Sequence, residues 1–380
     1  MKIGILTYYG DLNCGTNLQA YATLTAVRQR HKNDTVEIVP FHTFLPDRKP
    51  YLSNATLGSL LNDWRRIRHY SLFKKHTLGV TNDRIITDIP KALQFIKQRN
   101  YDIIYIGADT LLELDRLPKG SDDISAYWLS PDIEARKVLL AASCKNTEYD
   151  TLSKSQIEKL SATLADFSLL GIRDITTYNL LSHFVAPERI RMIPDPTFSL
   201  PIEYAHIEQY LQQNKIDIPK RSICFHTYRT DKWCKEVAEH FKGKGYTIVS
   251  LRPAPWADII LNSLSPLEQL GVYRYFSAIV THRFHDTIFA LKNGIAPLTY
   301  VSDSSYTTTL GNSKCSSLIE DFGLYPQHII DNPAHLTAPL FIEHLEEILN
   351  TFESRKDDVA HKIKSYAQTY IDFLNENITD

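Results

Sequence analysis

The sequence is short of the features that place a protein quickly. Its five cysteines (Cys14, Cys144, Cys224, Cys234 and Cys315) are scattered, with no CxxC pair and no metal-ligand spacing. An odd, dispersed set argues against a disulfide framework and suits a reducing compartment. No run of about 18 apolar residues occurs, so no segment reads as a membrane span. The dinucleotide-binding glycine fingerprint is missing, and so is the phosphate loop that ends in Lys-Ser/Thr. There is no internal repeat and no low-complexity tract. Neither sign of charge dominates: 42 basic side chains face 44 acidic ones, for a net charge of −2. That balance gives no electrostatic case for a nucleic-acid partner. The richest basic patch, "WRRIRHYSLFKKH" from Trp64 to His76, reads as a solvated helix face. The opening "MKIGILTYYG" has one basic residue, a short apolar run and no small-residue cleavage site, so it reads as a strand rather than a signal peptide. A cytoplasmic protein is expected, with a peripheral place at the inner membrane face left open.

What the sequence does hold is alternation. At roughly 150 residues per domain, 380 residues favour two domains. "KIGILTYY", "TVEIVPF", "YDIIYIGA", "KVLLAASC", "SLLGIRD" and "IRMIPDPT" are short apolar runs, and helical patterns separate most of them. Continuous apolar strands alternating with helices imply a parallel sheet covered on both faces. The stretch "SLPIEYAHIEQYLQQNKIDIPKR" is polar and carries two prolines, which places a boundary near Leu200. A second series follows, with strands in "SICFHTY", "YTIVSLR", "SAIVTHR" and "IAPLTYV". Its helices include one capped by Ser265 and one ended by Gly294. From about Ser354 to Asn375 the tail is amphipathic and helical. The expected fold is α/β, with two domains in series, each with its own sheet, divided near Leu200 and leaving a cleft between them.

In open α/β sheets, ligands sit beyond the carboxyl ends of the strands. The residues that follow each strand are therefore the candidates. "YYGDLNCGTNLQ" supplies Asn13, Gly15 and Asn17. Gly10 and Gly15 would allow positive φ, and Asn17 could cap the helix, where free N–H groups make an anion or sugar-hydroxyl site. Asp109 stands at the mouth of the strand ending in "IGAD", where a helix cap is the plainer reading. Arg173 and Asp174 end another strand: an Arg-Asp pair is often structural, yet a guanidinium there could reach a carboxylate or phosphate bidentately. Asp195, fixed between two prolines, could orient a sugar hydroxyl or cap a turn. "VTHRFHDTIFALKNGIAP", Val280 to Pro297, carries His282, Arg283, His285 and Asp286 where an apolar strand meets a helix N-terminus. Arg283 offers a planar fork for an anion, and His285 an imidazole that titrates near neutrality. Asp286 is expected at the helix N-cap, where it would raise the pKa of His285 while the helix terminus lowers it. No metal site is expected from His282 and His285, because further ligands are lacking.

Taken in order, these stretches resemble the polysaccharide pyruvyl transferase family. The resemblance rests on "ILTYYGDLNCGTNLQAYA", on "IGAD" where the family usually shows Gly-Ser-Asp, on "AAS" at Ala141, "GIRD" at Gly171 and "DPT" at Asp195, on "SPLEQLGVYRYFSAIVTHRFHDTIFAL", and on "SKCSSLIEDFGL" from Ser313 to Leu324. It runs from Met1 to about Leu324. In two places the chain departs from the pattern: Asp286 replaces the glycine usual after Arg-x-His, and the aromatic usual after Gly-Ser-Asp is missing after Asp109. The resemblance implies a GT-B-like fold without cofactor: a Rossmann-like lobe over 1–200 for the acceptor, a second over 201–350 for the donor, and a C-terminal helix over 351–380 that crosses back onto the first. It also implies transfer of the enolpyruvyl unit of phosphoenolpyruvate onto two hydroxyls of a sugar or lipid-linked glycan as a cyclic ketal. Arg283, Arg173, Lys314, His282 and Asp286 would then serve the donor. His285 would supply a proton or help the phosphate leave, with Arg283 beside it as the other catalytic group. Asn13, Gly15, Asn17, Asp109 and Asp195 would hold the acceptor. Two other readings fit the same residues: a GT-B glycosyltransferase using a nucleotide sugar, and a non-catalytic carbohydrate-binding member.

Overall fold

Each half of the alternation forms a sheet of its own. In the computed structural model, all residues are described except 43–56, 81–84, 115–116, 118–120, 146, 229–230, 303–312 and 377–380. The elements in chain order are β1 (Lys2–Leu6), α1 (Cys14–Arg30), β2 (Thr35–Ile38), α2 (Leu57–Phe73), α3 (Ile89–Arg99), β3 (Ile103–Ile106), β4 (Arg136–Ala142), α4 (Lys154–Ala165), β5 (Phe167–Ile172), α5 (Ile175–Leu181) and β6 (Ile190–Met192). There follow α6 (Ala205–Asn214), β7 (Ser222–His226), α7 (Trp233–Gly243), β8 (Thr247–Ser250), β9 (Ile259–Ile260), α8 (Pro266–Val272), β10 (Ala278–Thr281), α9 (Phe284–Lys292), β11 (Ala296–Tyr300), α10 (Lys314–Asp321), β12 (Ile329–Ile330), α11 (Ala338–Thr351) and α12 (Lys356–Asn375).

The chain divides into two compact units. The first comprises Met1–Arg48, Ser71–Leu200 and Tyr366–Asp380, and the second Lys49–Tyr70 and Pro201–Ser365. Each contains one six-stranded parallel sheet. The first sheet runs β2-β1-β3-β4-β5-β6, so the winding reverses between β1 and β3. The second runs β12-β11-β10-β7-β8-β9, with its reversal between β7 and β10. Crevices open at such reversal points, beyond the carboxyl ends of the strands. The central strands are buried along their length: β3 and β10 show no exposed position. This is why they read as unbroken apolar runs.

Local chemistry sets the helix starts. Ser153 with Gln156 and Ser265 with Glu268 form capping boxes on α4 and α8. Two findings depart from the sequence reading. The stretch taken as a polar boundary contains α6, whose Ile207, Tyr210 and Leu211 are buried. The described residues 57–70, most of α2, group with the second unit although they precede the first unit's third strand. The last turns of α12, from Tyr366 on, belong to the first unit. There Tyr366 meets Phe198 edge-on with ring centroids 5.0 Å apart. Phe373 fills the space over Gly171, where a Cβ would lie 2.6 Å from its ring.

Candidate active site

In the second unit, the strands on either side of the reversal pair in register, with Thr281 of β10 opposite His226 of β7. Across β7, Phe225 pairs with Ser250 of β8. The residues just beyond these strand ends are therefore neighbours: Tyr228 after β7, Arg252 after β8, and His282 and Arg283 after β10. The Tyr228 ring stacks on His282 with centroids 3.8 Å apart, and the Arg252 guanidinium lies 5.8 Å from the same ring. The Tyr300 hydroxyl donates to Asp231 at 2.5 Å and lies 3.4 Å from His282 Nδ1. Burial first, and then the neighbouring Arg283, push the His282 imidazole down to about 2. It is uncharged at neutral pH, an aromatic wall rather than a proton donor.

Arg283 is the N-cap of α9, and its backbone N–H donates to Thr281 Oγ1 at 3.1 Å. Its side chain makes no cap bond, and its Nε is buried without a partner among the described residues. Burial lowers Arg252 to about 10, and the charges of Arg283 and Arg66 add to the effect. Neither Arg252 nor Arg283 is ion-paired with a described carboxylate. Half-buried guanidiniums that repel one another and pair with no described carboxylate, beside a helix N-terminus, favour an anion. His285, in the first turn of α9, is half-buried, with its ring beside Phe284 and Phe289. Lys314 opens α10, which packs against α9.

Asp286 is not the N-cap expected of it, and its carboxylate does not pair with His285. It is 2 % exposed, and its oxygens accept from His226 Nδ1 at 2.5 Å, Tyr273 Oη at 2.9 Å, Thr281 Oγ1 at 3.1 Å and Gln269 Nε2 at 3.3 Å. A carboxylate with four donors has no capacity for a donor substrate; it ties α9 to β7, β10 and α8. Burial alone would raise its pKa, but His226, Arg283 and Tyr273 overcome this and hold it below the usual carboxylate range. On His226 burial outweighs the attraction of Asp286, and the imidazole is pushed down to about 4.

In the first unit, the reversal between β1 and β3 brings together the loop after β1 and the "GAD" turn after β3. Asn13, not Asn17, caps α1, accepting from the N–H of Gly15 at 3.1 Å. Gly15 lies in the first helical turn, whereas Gly10 takes positive φ at 85°. Asn17 is fully buried and occupied by the loop: Gly10 N–H donates to its Oδ1, and its Nδ2 donates to the carbonyls of Asp11 and Asn13. Arg173 sits here with the candidate acceptor residues. It donates to Asp195 at 2.7 Å and to Asp109 at 3.3 Å, joining the ends of β3, β5 and β6. Asp195, 3 % exposed, also accepts from Gln19 at 2.7 Å and from the Thr197 hydroxyl and N–H. Asp109 is the more open of the two acids, at 19 % side-chain exposure against 1 %.

Thus the structure gathers Asn13, Gly15, Asn17, Asp109, Arg173 and Asp195 in one unit, and His282, Arg283, His285, Asp286 and Lys314 in the other. The sequence reading missed Arg252, Tyr228 and His226, which look locally like ordinary strand-end residues. Among the described residues, no group of three His, Cys, Asp or Glu side chains is placed to hold a metal ion, and no helix is long and apolar enough to cross a membrane.

Comparison with known proteins adds a family. The polysaccharide pyruvyl transferase family model matches residues 13–304. No curated protein matches the chain. Solved structures share the fold. The UDP-GlcNAc 2-epimerase from Neisseria meningitidis bound to UDP-GlcNAc is 9 % identical over 99 % of this chain and 100 % of that one, with a TM-score of 0.58. A putative UDP-N-acetylglucosamine 2-epimerase from Listeria monocytogenes is 11 % identical over 97 % and 93 %, at 0.55. The UDP-GlcNAc 2-epimerase from Methanocaldococcus jannaschii is 13 % identical over 97 % and 100 %, at 0.52. At such identities the likeness is one of fold: two Rossmann-like α/β lobes of the GT-B type.

Proposed function

Because the chain belongs to the polysaccharide pyruvyl transferase family, we propose that it moves the enolpyruvyl group of phosphoenolpyruvate onto a sugar of a polysaccharide or its precursor, as a pyruvate ketal. The observation that carries this reading is the pair of guanidiniums, Arg252 and Arg283, without a carboxylate partner at the β7–β10 reversal. Phosphoenolpyruvate carries two anionic groups, a carboxylate and a phosphate, and two planar forks suit them. Lys314, at the first turn of α10, adds a third cation.

The reaction needs one proton at carbon 3 and two oxygen attacks at carbon 2. The first sugar hydroxyl adds to carbon 2 as carbon 3 is protonated. The phosphate then leaves, and the second hydroxyl closes the ketal. Two protons leave the hydroxyls; one ends on carbon 3 and one on the phosphate. His226 and His282 are held neutral by burial, which leaves His285 as the imidazole to donate. Proton transfer of this kind is worth about 10²–10⁴-fold. Asp109, oriented by Arg173 and Thr16, is the acceptor-side carboxylate able to receive a sugar hydroxyl. The acceptor is a sugar or glycan, free or lipid-linked.

The test is phosphate release from phosphoenolpyruvate with a panel of hexoses, lipid-linked sugars and short glycans. Acceptor-dependent release is expected, and it should be lost in His285→Ala while that variant stays folded. Release of nucleoside diphosphate from a nucleotide sugar, with none from phosphoenolpyruvate, would replace this reading with glycosyl transfer. Sugar binding without either reaction would make the chain a carbohydrate-binding member.

A further inference from the structure

Eight large hydrophobic side chains stand exposed among the described residues, and three of them, Leu61, Trp64 and Leu72, lie on α2. Single exposed apolar residues need no explanation, but an aligned set does. Leu61, Trp64, Arg65, Arg68 and Leu72 are all exposed, at steps that keep them on one helical stripe. Leu61 is 54 % and Trp64 58 % exposed. Asp63, Tyr70 and Phe73 on the other side are buried. Lys75 and His76 are exposed just past the helix end. The one carboxylate between residues 57 and 78 is Asp63, and it is buried. The stripe therefore offers solvent three large apolar groups and the cations Arg65, Arg68 and Lys75, with no acid among them. The Arg68 guanidinium lies 5.6 Å from the Trp64 ring centroid, so charge and indole are presented together.

Charge complementarity selects the occupant. A second copy would set this stripe of cations against itself. An anionic bilayer meets every part of it: aliphatic groups enter the boundary between headgroups and acyl chains, indole favours that interface, and arginine and lysine pair with lipid phosphates. We infer that the Leu61–Leu72 stripe of α2 docks the protein peripherally on an anionic lipid surface. The contact needs no substrate and stands apart from the transferase reading. It supplies a face for the membrane association that the sequence alone left open.

The test is co-sedimentation of the full chain with vesicles, without phosphoenolpyruvate or sugar. Binding is expected to mixed phosphatidylcholine–phosphatidylglycerol vesicles, weaker in high salt, and much weaker to pure phosphatidylcholine. Arg65→Glu/Arg68→Glu and Leu61→Ser/Trp64→Ser should each lower the bound fraction about ten-fold. Because these side chains are exposed, the variants should melt with the wild type. Should a variant fail to fold, quenching of wild-type tryptophan fluorescence by brominated lipid gives the answer, with quenching expected. Absence of binding and quenching, equal binding to neutral vesicles, or unchanged binding in both variants would overturn the inference. So would a concentration-dependent dimer that both variants abolish, which would assign the stripe to a second copy.

Discussion

Asp286→Ala should be among the most destabilising single changes in the second unit. The side chain is 2 % exposed and accepts from four groups, His226, Tyr273, Thr281 and Gln269. Removing the carboxylate strands up to four buried donors, at about 1–3 kcal/mol for each one left unsatisfied. The total should be about 3–5 kcal/mol rather than the full sum, because Gln269 Nε2 also reaches the Tyr273 hydroxyl at 3.3 Å and part of the network can close on itself. Asp286→Asn keeps one acceptor oxygen for Tyr273 and Gln269, and its cost should be about 1–2 kcal/mol. Against a typical total of about 5–15 kcal/mol, the alanine variant loses from about a fifth of its stability upward. Urea unfolding followed by tryptophan fluorescence reads this well, because Trp64, Trp233 and Trp256 belong to the second unit. Combined with His226→Ala, the loss should fall short of the sum by about 1–3 kcal/mol. A change within about 0.5 kcal/mol for Asp286→Ala, the level of an ordinary surface substitution, would refute the network.

Arg173→Ala leaves Asp195 buried without its cation and should cost about 3–5 kcal/mol; Arg173→Lys, which keeps charge but loses the fork, should fall between, and urea midpoints rank the two. Gly107 has φ 151°, and an added Cβ would sit 1.8 Å from the Leu140 carbonyl oxygen; Gly107→Ala should therefore yield no soluble folded protein. Gly79→Ala, at φ 73° with nothing within 4 Å of the added Cβ, should fold and lose only about 1 kcal/mol, and soluble yield separates the two. Burial pushes the imidazoles of His226 and His328 down to about 4 and that of His282 to about 2. Below the ordinary histidine value of 6.5 the unfolded chain takes up protons that the folded chain refuses. Stability should thus be level above neutrality and fall as pH drops from 6.5 towards 4, by about 1.4 kcal/mol per pH unit for each such histidine. A urea midpoint that stays level over that range would contradict the burial argument.

The alternation of short apolar runs with helices was enough to place two parallel sheets, because strands covered on both faces have no polar side to confuse the reading. The position of Arg283 and His285 after β10 followed from the same logic. Partnerships across the sheet were not legible. His226 lies sixty residues from Asp286, and nothing in "SICFHTY" marks the histidine as that carboxylate's partner, so the sequence points the acid only to the helix cap and the donor. Arg173 reads locally either as half of a structural pair or as a fork for an anion, and the family resemblance points it to the donor; two acids that the sheet order brings beside it, Asp109 and Asp195, hold it. Arg252 carries no local signal, since its meaning comes from the neighbouring strand end. Asn13 and Asn17 are both sound helix caps by residue type, and only the backbone decides between them.

Calorimetric titration of phosphoenolpyruvate into the wild type, Arg252→Ala and Arg283→Ala tests most directly whether the guanidiniums at the β7–β10 reversal form the donor site. The account predicts that the wild type binds and that each variant, folded and with an unaltered melting profile, binds at least about ten-fold more weakly, the loss expected for one charge-assisted contact. Equal affinity in all three proteins, or no binding by the wild type, would contradict it.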